Sequence, residues 1–227
     1  MENEIKMLNF SCISDLQPSN DDKVDEYEKQ QAELREQKRK ENLERAYLEN
    51  SNIPLRYRKE SLKTYKPAAD NVKVFNWVCN YVEAVKAKKN TKNLLYINGS
   101  YGTGKTHLGC GIIRELGGYI LTSLELCITY DSCRDFKATE TRIQFLKRLC
   151  QNKVLVIDEV GKGIESIEKQ VLPYIINEFY GSGHLLVFLG NGSNDDFNKI
   201  VGEASADRMS ESGVYIPLIG ESIRKRK

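Results

Sequence analysis

The sequence predicts an α/β fold, a mostly parallel sheet covered by helices on both faces, and three observations predict it. Short apolar runs, Leu94-Leu95-Tyr96-Ile97, Val154-Leu155-Val156-Ile157 and Leu185 to Leu189, read as buried strands. Between them lie segments whose apolar residues recur at three- and four-residue steps, the period of an amphipathic helix. The first run also leads straight into Gly99-Ser100-Tyr101-Gly102-Thr103-Gly104-Lys105-Thr106. That stretch fits G-x-x-x-x-G-K-[ST], the phosphate-binding loop, with the strand before it and the helix after it that the motif requires.

The elements follow in order. Residues 1–20 are mixed and carry little periodicity. From Asp22 to Ala46, 15 of 25 residues are Asp, Glu, Lys or Arg. Asp25–Lys29, Glu36–Lys40 and Glu41–Arg45 place the acid four residues ahead of the base, the order that supports an isolated helix. Val24, Tyr27, Leu34 and Leu43 are too sparse to bury a face against a core. An exposed helix that orders fully on a partner and a simply solvated charged helix both satisfy this pattern.

Ile53-Pro54-Leu55-Arg56-Tyr57 ends the helix at the proline. It marks a boundary between a charged N-terminal extension, 1–50, and the domain that carries the phosphate loop, 51–227. Val74, Trp77, Val78, Tyr81, Val82 and Val85 then predict an amphipathic helix after the polar start Asp70-Asn71. A helix over 105–116 follows the phosphate loop and stops at Gly117-Gly118. A short strand at 119–122 precedes helices at 123–130 and 139–150, and the buried strand at 154–157 ends in Asp158-Glu159. A helix over 165–180 carries Ile167, Val171, Tyr174, Ile175 and Phe179 on one face, with Pro173 expected to bend it. The strand at 185–189 ends in Gly190-Asn191, and 214–218, which contains Pro217, reads as an edge strand.

Composition removes several classes of function. A formal charge of +2 over 227 residues gives no whole-molecule attraction to nucleic acid, and the basic end, 223–227, reads as a solvated terminus. The six cysteines form no C-x-x-C pair, so neither a structural zinc site nor a disulfide framework is expected, and a reducing compartment is. The N-terminus is no signal peptide, and no apolar run approaches the length of a membrane span. A cytoplasmic protein without membrane contact is expected.

The phosphate loop sets the chemistry. Its glycines let backbone N–H groups face a polyphosphate with no Cβ in the way. Lys105 offers a charge to the β- and γ-phosphates, Thr106 a hydroxyl to Mg²⁺, and the helix start its positive dipole end. ATP is the expected ligand. Asp158, closing a buried strand, is the expected second anchor for Mg²⁺, and Glu159 beside it can polarise a water for attack on the γ-phosphate. Asn191 ends the next buried strand and can hold that water or a γ-phosphate oxygen, or serve only as a turn residue. Spacing alone assigns Arg208 no role: it reads equally as a surface ion-pair residue or as an arginine that completes a neighbour's site.

Gly102-Thr-Gly-Lys-Thr-His-Leu108, Val156-Ile-Asp-Glu-Val-Gly161, Ile175-Ile-Asn177 and the Gly202-Glu…Asp-Arg-Met209 stretch resemble bacterial DnaC-type helicase loaders. These are AAA+ ATPases close to the IstB transposition ATPases. Ile53-Pro-Leu-Arg-Tyr57 is similar to the family's entry into the ATPase domain, and the resemblance covers roughly 52–224. It implies a nucleotide-contacting set of Gly99, Gly102, Thr103, Gly104, Lys105, Thr106 and His107, and Mg²⁺ on Thr106 and Asp158. It further implies Glu159 as the water-activating residue, Asn191 as first sensor and Arg208 as an arginine finger acting on the adjacent subunit.

The implied partners are a replicative hexameric DNA helicase, single-stranded DNA and further copies of the chain, associating under ATP and DNA. No helical lid domain is expected after Leu218. Three positions depart from the family pattern: Ala204 where loaders often carry a second arginine, Gly190 for the usual Thr, and Ile223 for the Tyr of a terminal Ser-Tyr-Arg. Two rival functions stand beside loading. One is an IstB-type accessory ATPase binding duplex DNA and a transposase; the other is a phosphotransferase with a small acceptor, disfavoured by Glu159.

Overall fold

A computed structural model describes residues 21–89, 92–220 and 222; the basic end, 223–227, Cys12 and the Ile223 departure lie outside the described residues. The chain divides into two compact units between Tyr47 and Leu48. Helix α1 (Asp21–Asn50) forms the described part of the first and runs on into the second. On it Tyr27, Leu34 and Leu43 are exposed, and Glu36 lies 3.8 Å from both Arg39 and Lys40. Such exposed pairs each add only ~0–1 kcal/mol.

The second unit holds five strands: β1 (Leu94–Gly99), β2 (Tyr119–Thr122), β3 (Val154–Val160), β4 (Leu185–Gly190) and β5 (Gly213–Leu218). Their order is β2-β3-β4-β1-β5, and every pairing is parallel. The first strand in sequence therefore lies inside the sheet, between β4 and β5. Parallel strands need crossovers, and α2 (Val72–Lys86), α3 (Lys105–Leu116), α4 (Ser123–Ser132), α5 (Arg142–Cys150), α6 (Glu165–Ser182), α7 (Asn194–Val201) and α8 (Glu203–Ser212) cover the faces. β5 pairs only with β1, so Pro217 sits on an edge strand, where a missing N–H is tolerated.

Strand residues and the apolar faces of α3 and α6 make the core. Leu94, Ile97, Leu155, Ile157, Leu186 and Phe188 are wholly buried, as are Ile112, Val171, Ile175 and Phe179. Cys79, Cys110, Cys127, Cys133 and Cys150 are all free thiols, and burial pushes Cys110 and Cys150 up to about 12, so neither is a nucleophile at neutral pH. Among the described residues no His, Cys, Asp and Glu cluster could hold a metal by itself, and no helix is long and apolar enough to cross a membrane.

The expected elements are present with shifted ends. α5 begins at Arg142 rather than 139, because Thr141 caps it: its hydroxyl accepts from the Gln144 N–H while Gln144 accepts from the Thr141 N–H. α6 runs without interruption through Pro173. The stretch 193–212, where the sequence predicts no element, folds as α7 and α8. Ser193 and Asp196 form the reciprocal cap of α7, and its Phe197 and Val201 are buried one turn apart. An eight-residue helix offers too few apolar positions for its period to stand out.

Candidate nucleotide-binding site

The strand order reverses beside β1, which places a crevice at the carboxyl ends of β1, β3 and β4. The phosphate loop joins β1 to α3 there. Gly104, the N-cap of α3, has φ +95°, a conformation that disfavours a side chain, and a Cβ on it would stand 2.5 Å from the Tyr65 ring. Buried Tyr65 packs against the loop and donates through its hydroxyl to the Thr103 carbonyl at 2.9 Å. Thr103 in turn donates to the Ser100 carbonyl at 2.9 Å. Lys105 Nζ donates to the carbonyls of Gly99 at 2.7 Å and Ser100 at 2.8 Å, so the ammonium is held at the loop's own mouth.

Thr106 Oγ1 donates to Asp158 Oδ2 at 2.7 Å, joining the loop to β3. Asp158 is only 6% exposed. Burial pushes its carboxyl above the ordinary value, against the hydrogen bonds from Thr106 and from the Glu159 N–H; the Glu159 charge adds to the rise. A buried carboxylate in that state gains from a nearby cation. Two hard oxygens, Asp158 Oδ2 and Thr106 Oγ1, therefore fit Mg²⁺.

Glu159 is presented by backbone geometry. The β3–β4 register shifts between Ile157 and Val160, and within that irregularity Glu159 adopts φ +58°. Asp158 and Val160 stay buried while Glu159 turns out to solvent. Its N–H donates to Asp158 Oδ1 at 2.8 Å, and its carbonyl accepts from Lys162 N at 3.0 Å. A left-handed, non-glycine residue in a bulge at the end of a strand is a strained feature of the kind found at functional sites.

Asn191 follows β4 and lines the same cleft as Lys105, Asp158 and Glu159. The Gly190 departure has a steric cause. A Cβ there would lie 2.7 Å from Tyr96 Oη, and that hydroxyl donates to the Gly192 carbonyl at 2.9 Å. Asn98 Nδ2 donates to the same carbonyl at 3.1 Å. Buried Tyr96 thus takes the room that a side chain at 190 would need, and helps fix the turn carrying Asn191.

His107 lines the cleft, but its ring is engaged with the segment before α2. Nε2 lies 2.8 Å from the Ser61 carbonyl, 3.2 Å from Thr64 Oγ1 and 3.3 Å from Glu60 Oε2. The ring meets Tyr65 edge-on at 5.1 Å. Its visible work is to dock residues 60–65 against α3. The cleft has a volume of about 370 Å³, within the range of small-ligand sites, and Arg56, Tyr57, Glu60 and Tyr101 complete its wall. Sequence reasoning missed Tyr65, Glu60 and Tyr96; Arg56 and Tyr57 drew notice only as a domain boundary.

Arg208 stands apart. It lies on α8, half-buried, and does not line the cleft. Its Nη1 donates to the Ala204 carbonyl at 3.3 Å, and its guanidinium sits 5.7 Å from the Tyr180 ring centroid. Of the expected site residues, Gly102, Gly104, Lys105, Thr106, His107, Asp158, Glu159 and Asn191 line this one cleft, and Gly99, Thr103 and Arg208 do not.

No protein-family model and no curated protein sequence matches the chain. Solved structures do. The DnaC helicase loader is 21% identical with a TM-score of 0.61, over 73% of this chain and 100% of that one. DnaI is 19% identical with a TM-score of 0.55, over 75% and 93%. The replication initiator DnaA, bound to AMPPCP and single-stranded DNA, is 18% identical with a TM-score of 0.60; the match covers 74% of this chain and about half, 51%, of that one. At these identities the likeness is one of fold. What is shared is the fold: a parallel sheet covered by helices, as in these structures.

Proposed function

We propose that this chain is an ATP-dependent loader that places a replicative DNA helicase on single-stranded DNA and hydrolyses ATP at interfaces between protomers. The observation that carries the reading is the assembled cleft: Lys105, Thr106, Asp158, Glu159 and Asn191 converge on it within one chain, while Arg208 stays outside. A site complete but for one cation is what a trans-completed ATPase requires. The sequence resemblance, and the printed names of DnaC and DnaI among the structural neighbours, support helicase loading as the task.

The roles divide as follows. The loop amides and Lys105 bind the phosphates, Lys105 exchanging its two loop carbonyls for them. Thr106 and Asp158 would hold Mg²⁺, which would supply positive charge beside the phosphates. Glu159 accepts the proton of the attacking water, Asn191 orients that water, and a neighbour's Arg208 meets the charge that develops. Lys105→Ala should abolish tight binding of a fluorescent ATP analogue, since it removes the ammonium that the loop carbonyls hold; unchanged affinity would remove the phosphate-loop assignment.

The charged extension is the proposed grip on the helicase. Leu48, Ser51 and Ile53 are buried in the second unit, so the test removes residues 1–47 rather than 1–50. The remaining 48–227 should keep ATP binding and melt near the temperature of the full chain, yet fail to co-purify with the host's replicative helicase. Retention of the helicase by the shortened protein would place the contact elsewhere. In the full chain, stimulation of ATP hydrolysis by single-stranded rather than duplex DNA separates loading from a transposition role.

A further inference from the structure

Glu168, in the first turn of α6, is only 2% exposed. An acid there suits the helix dipole, but exposed Glu165 in the same turn already supplies one and pairs with Lys169 at 2.6 Å. Burying a second carboxylate is costly unless its lone pairs are filled. One of its oxygens is well supplied: Glu168 Oε1 accepts from the Gly161 N–H at 3.0 Å, from the Gly163 N–H at 3.2 Å and from the Ser123 hydroxyl. A single oxygen collects donors from two separate segments, the turn that leaves β3 and the first residue of α4.

The turn it holds is the one that presents Glu159. The Lys162 N–H closes onto the Glu159 carbonyl at 3.0 Å, and Glu159 and Gly161 both sit in the left-handed region, at φ +58° and +84°. A residue with a Cβ keeps such a conformation only where its surroundings over-determine it. Glu168 supplies that constraint from beneath. Gly163 is fitted around it as well: a Cβ there would stand 3.0 Å from Glu168 Oε1, 3.0 Å from Ser123 Oγ and 2.9 Å from Cys127 Sγ.

We propose that Glu168 is a positioning residue for hydrolysis. It locks the Glu159–Gly163 turn so that the Glu159 carboxylate stays at the cleft, and through Ser123 it ties that placement to the β2–α4 junction. The inference rests on the reading of Glu159 as the water-activating group. Glu168 touches neither nucleotide nor water itself, so its loss should act on turnover and not on binding.

The test is steady-state ATP hydrolysis by the full chain with single-stranded DNA present. Glu168→Ala should lower kcat by roughly 10- to 10²-fold, the scale of a small misplacement of a reacting group, with KM for ATP within about twofold. Glu168→Gln keeps an acceptor oxygen for both glycine N–H groups and should recover to within about threefold of wild type. In a Glu159→Gln background, Glu168→Ala should cost nothing further, because the group it positions is already gone. Should Glu168→Ala fail to fold, Gly163→Ala carries the test from the turn side and should show the same fall in kcat.

A wild-type kcat in the folded Glu168→Ala protein, or in Gly163→Ala in its place, overturns the inference. So does an equal further loss in the Glu159→Gln background. A wild-type rate for Glu159→Gln alone removes the reading of Glu159 on which it stands, and is distinguishable because no Glu168 variant is needed to see it.

Discussion

Arg208→Ala should lower ATP hydrolysis stimulated by single-stranded DNA by roughly 10³-fold or more while folding and ATP affinity stay intact. Among the described residues Arg208 has a 3.3 Å contact with the Ala204 carbonyl and a place over the Tyr180 ring. It is half-buried and lines no part of the cleft, and interactions of that kind contribute about 0–1 kcal/mol. A guanidinium that meets charge in the transition state is worth far more, because that charge appears only as the reaction proceeds. The two accounts of Arg208 thus differ by orders of magnitude in one rate. Melting temperature and equilibrium binding of an ATP analogue confirm that only turnover has changed. A loss of less than about threefold would return Arg208 to the class of surface arginines.

Glu159→Gln should keep ATP binding and slow hydrolysis by ~10²-fold or more, the scale of losing a positioned general base. The amide is nearly isosteric with the carboxylate and leaves the 2.8 Å bond from the residue-159 N–H to Asp158 Oδ1 in place. Asp158 should therefore hold its metal as before. Rapid quench over a single turnover reads the chemical step directly. Wild-type turnover with tight binding intact would leave Glu159 as an exposed acid at the end of β3 and nothing more.

Much of the fold was legible because its strands are short and wholly apolar. Leu94 to Ile97, Val154 to Ile157 and Leu185 to Leu189 are buried on both faces, so no polar residue interrupts the pattern. The phosphate loop was legible because its backbone demands particular residues: positive φ at Gly102 and Gly104 leaves little choice. Asp158 and Asn191 followed from their places at the ends of such strands.

What escaped was long-range or short. Tyr65 reaches Thr103 across the loop, Tyr96 takes the space beside Gly190, and Glu168 gathers three donors from two segments. The two tyrosine contacts join residues far apart in sequence, Glu168 joins a nearby turn to distant Ser123, and none repeats with a period. The Gly190 departure is a packing exchange with Tyr96. His107 drew attention through its place after the loop, and its ring instead docks Glu60, Ser61 and Thr64. Helices α7 and α8 were missed for their length, although Ser193 and Asp196 carry a cap signal.

Mixed protomers test most directly whether the site is shared between chains. Arg208→Ala protomers keep an intact cleft, and Lys105→Ala protomers keep Arg208, so neither should hydrolyse ATP alone. Combined with ATP and single-stranded DNA, they should recover a substantial fraction of wild-type turnover, with a maximum at an intermediate ratio. Failure of every mixture to regain hydrolysis, with co-assembly demonstrated in the same samples, would contradict a trans-acting Arg208 and leave a monomeric ATP switch as the better account.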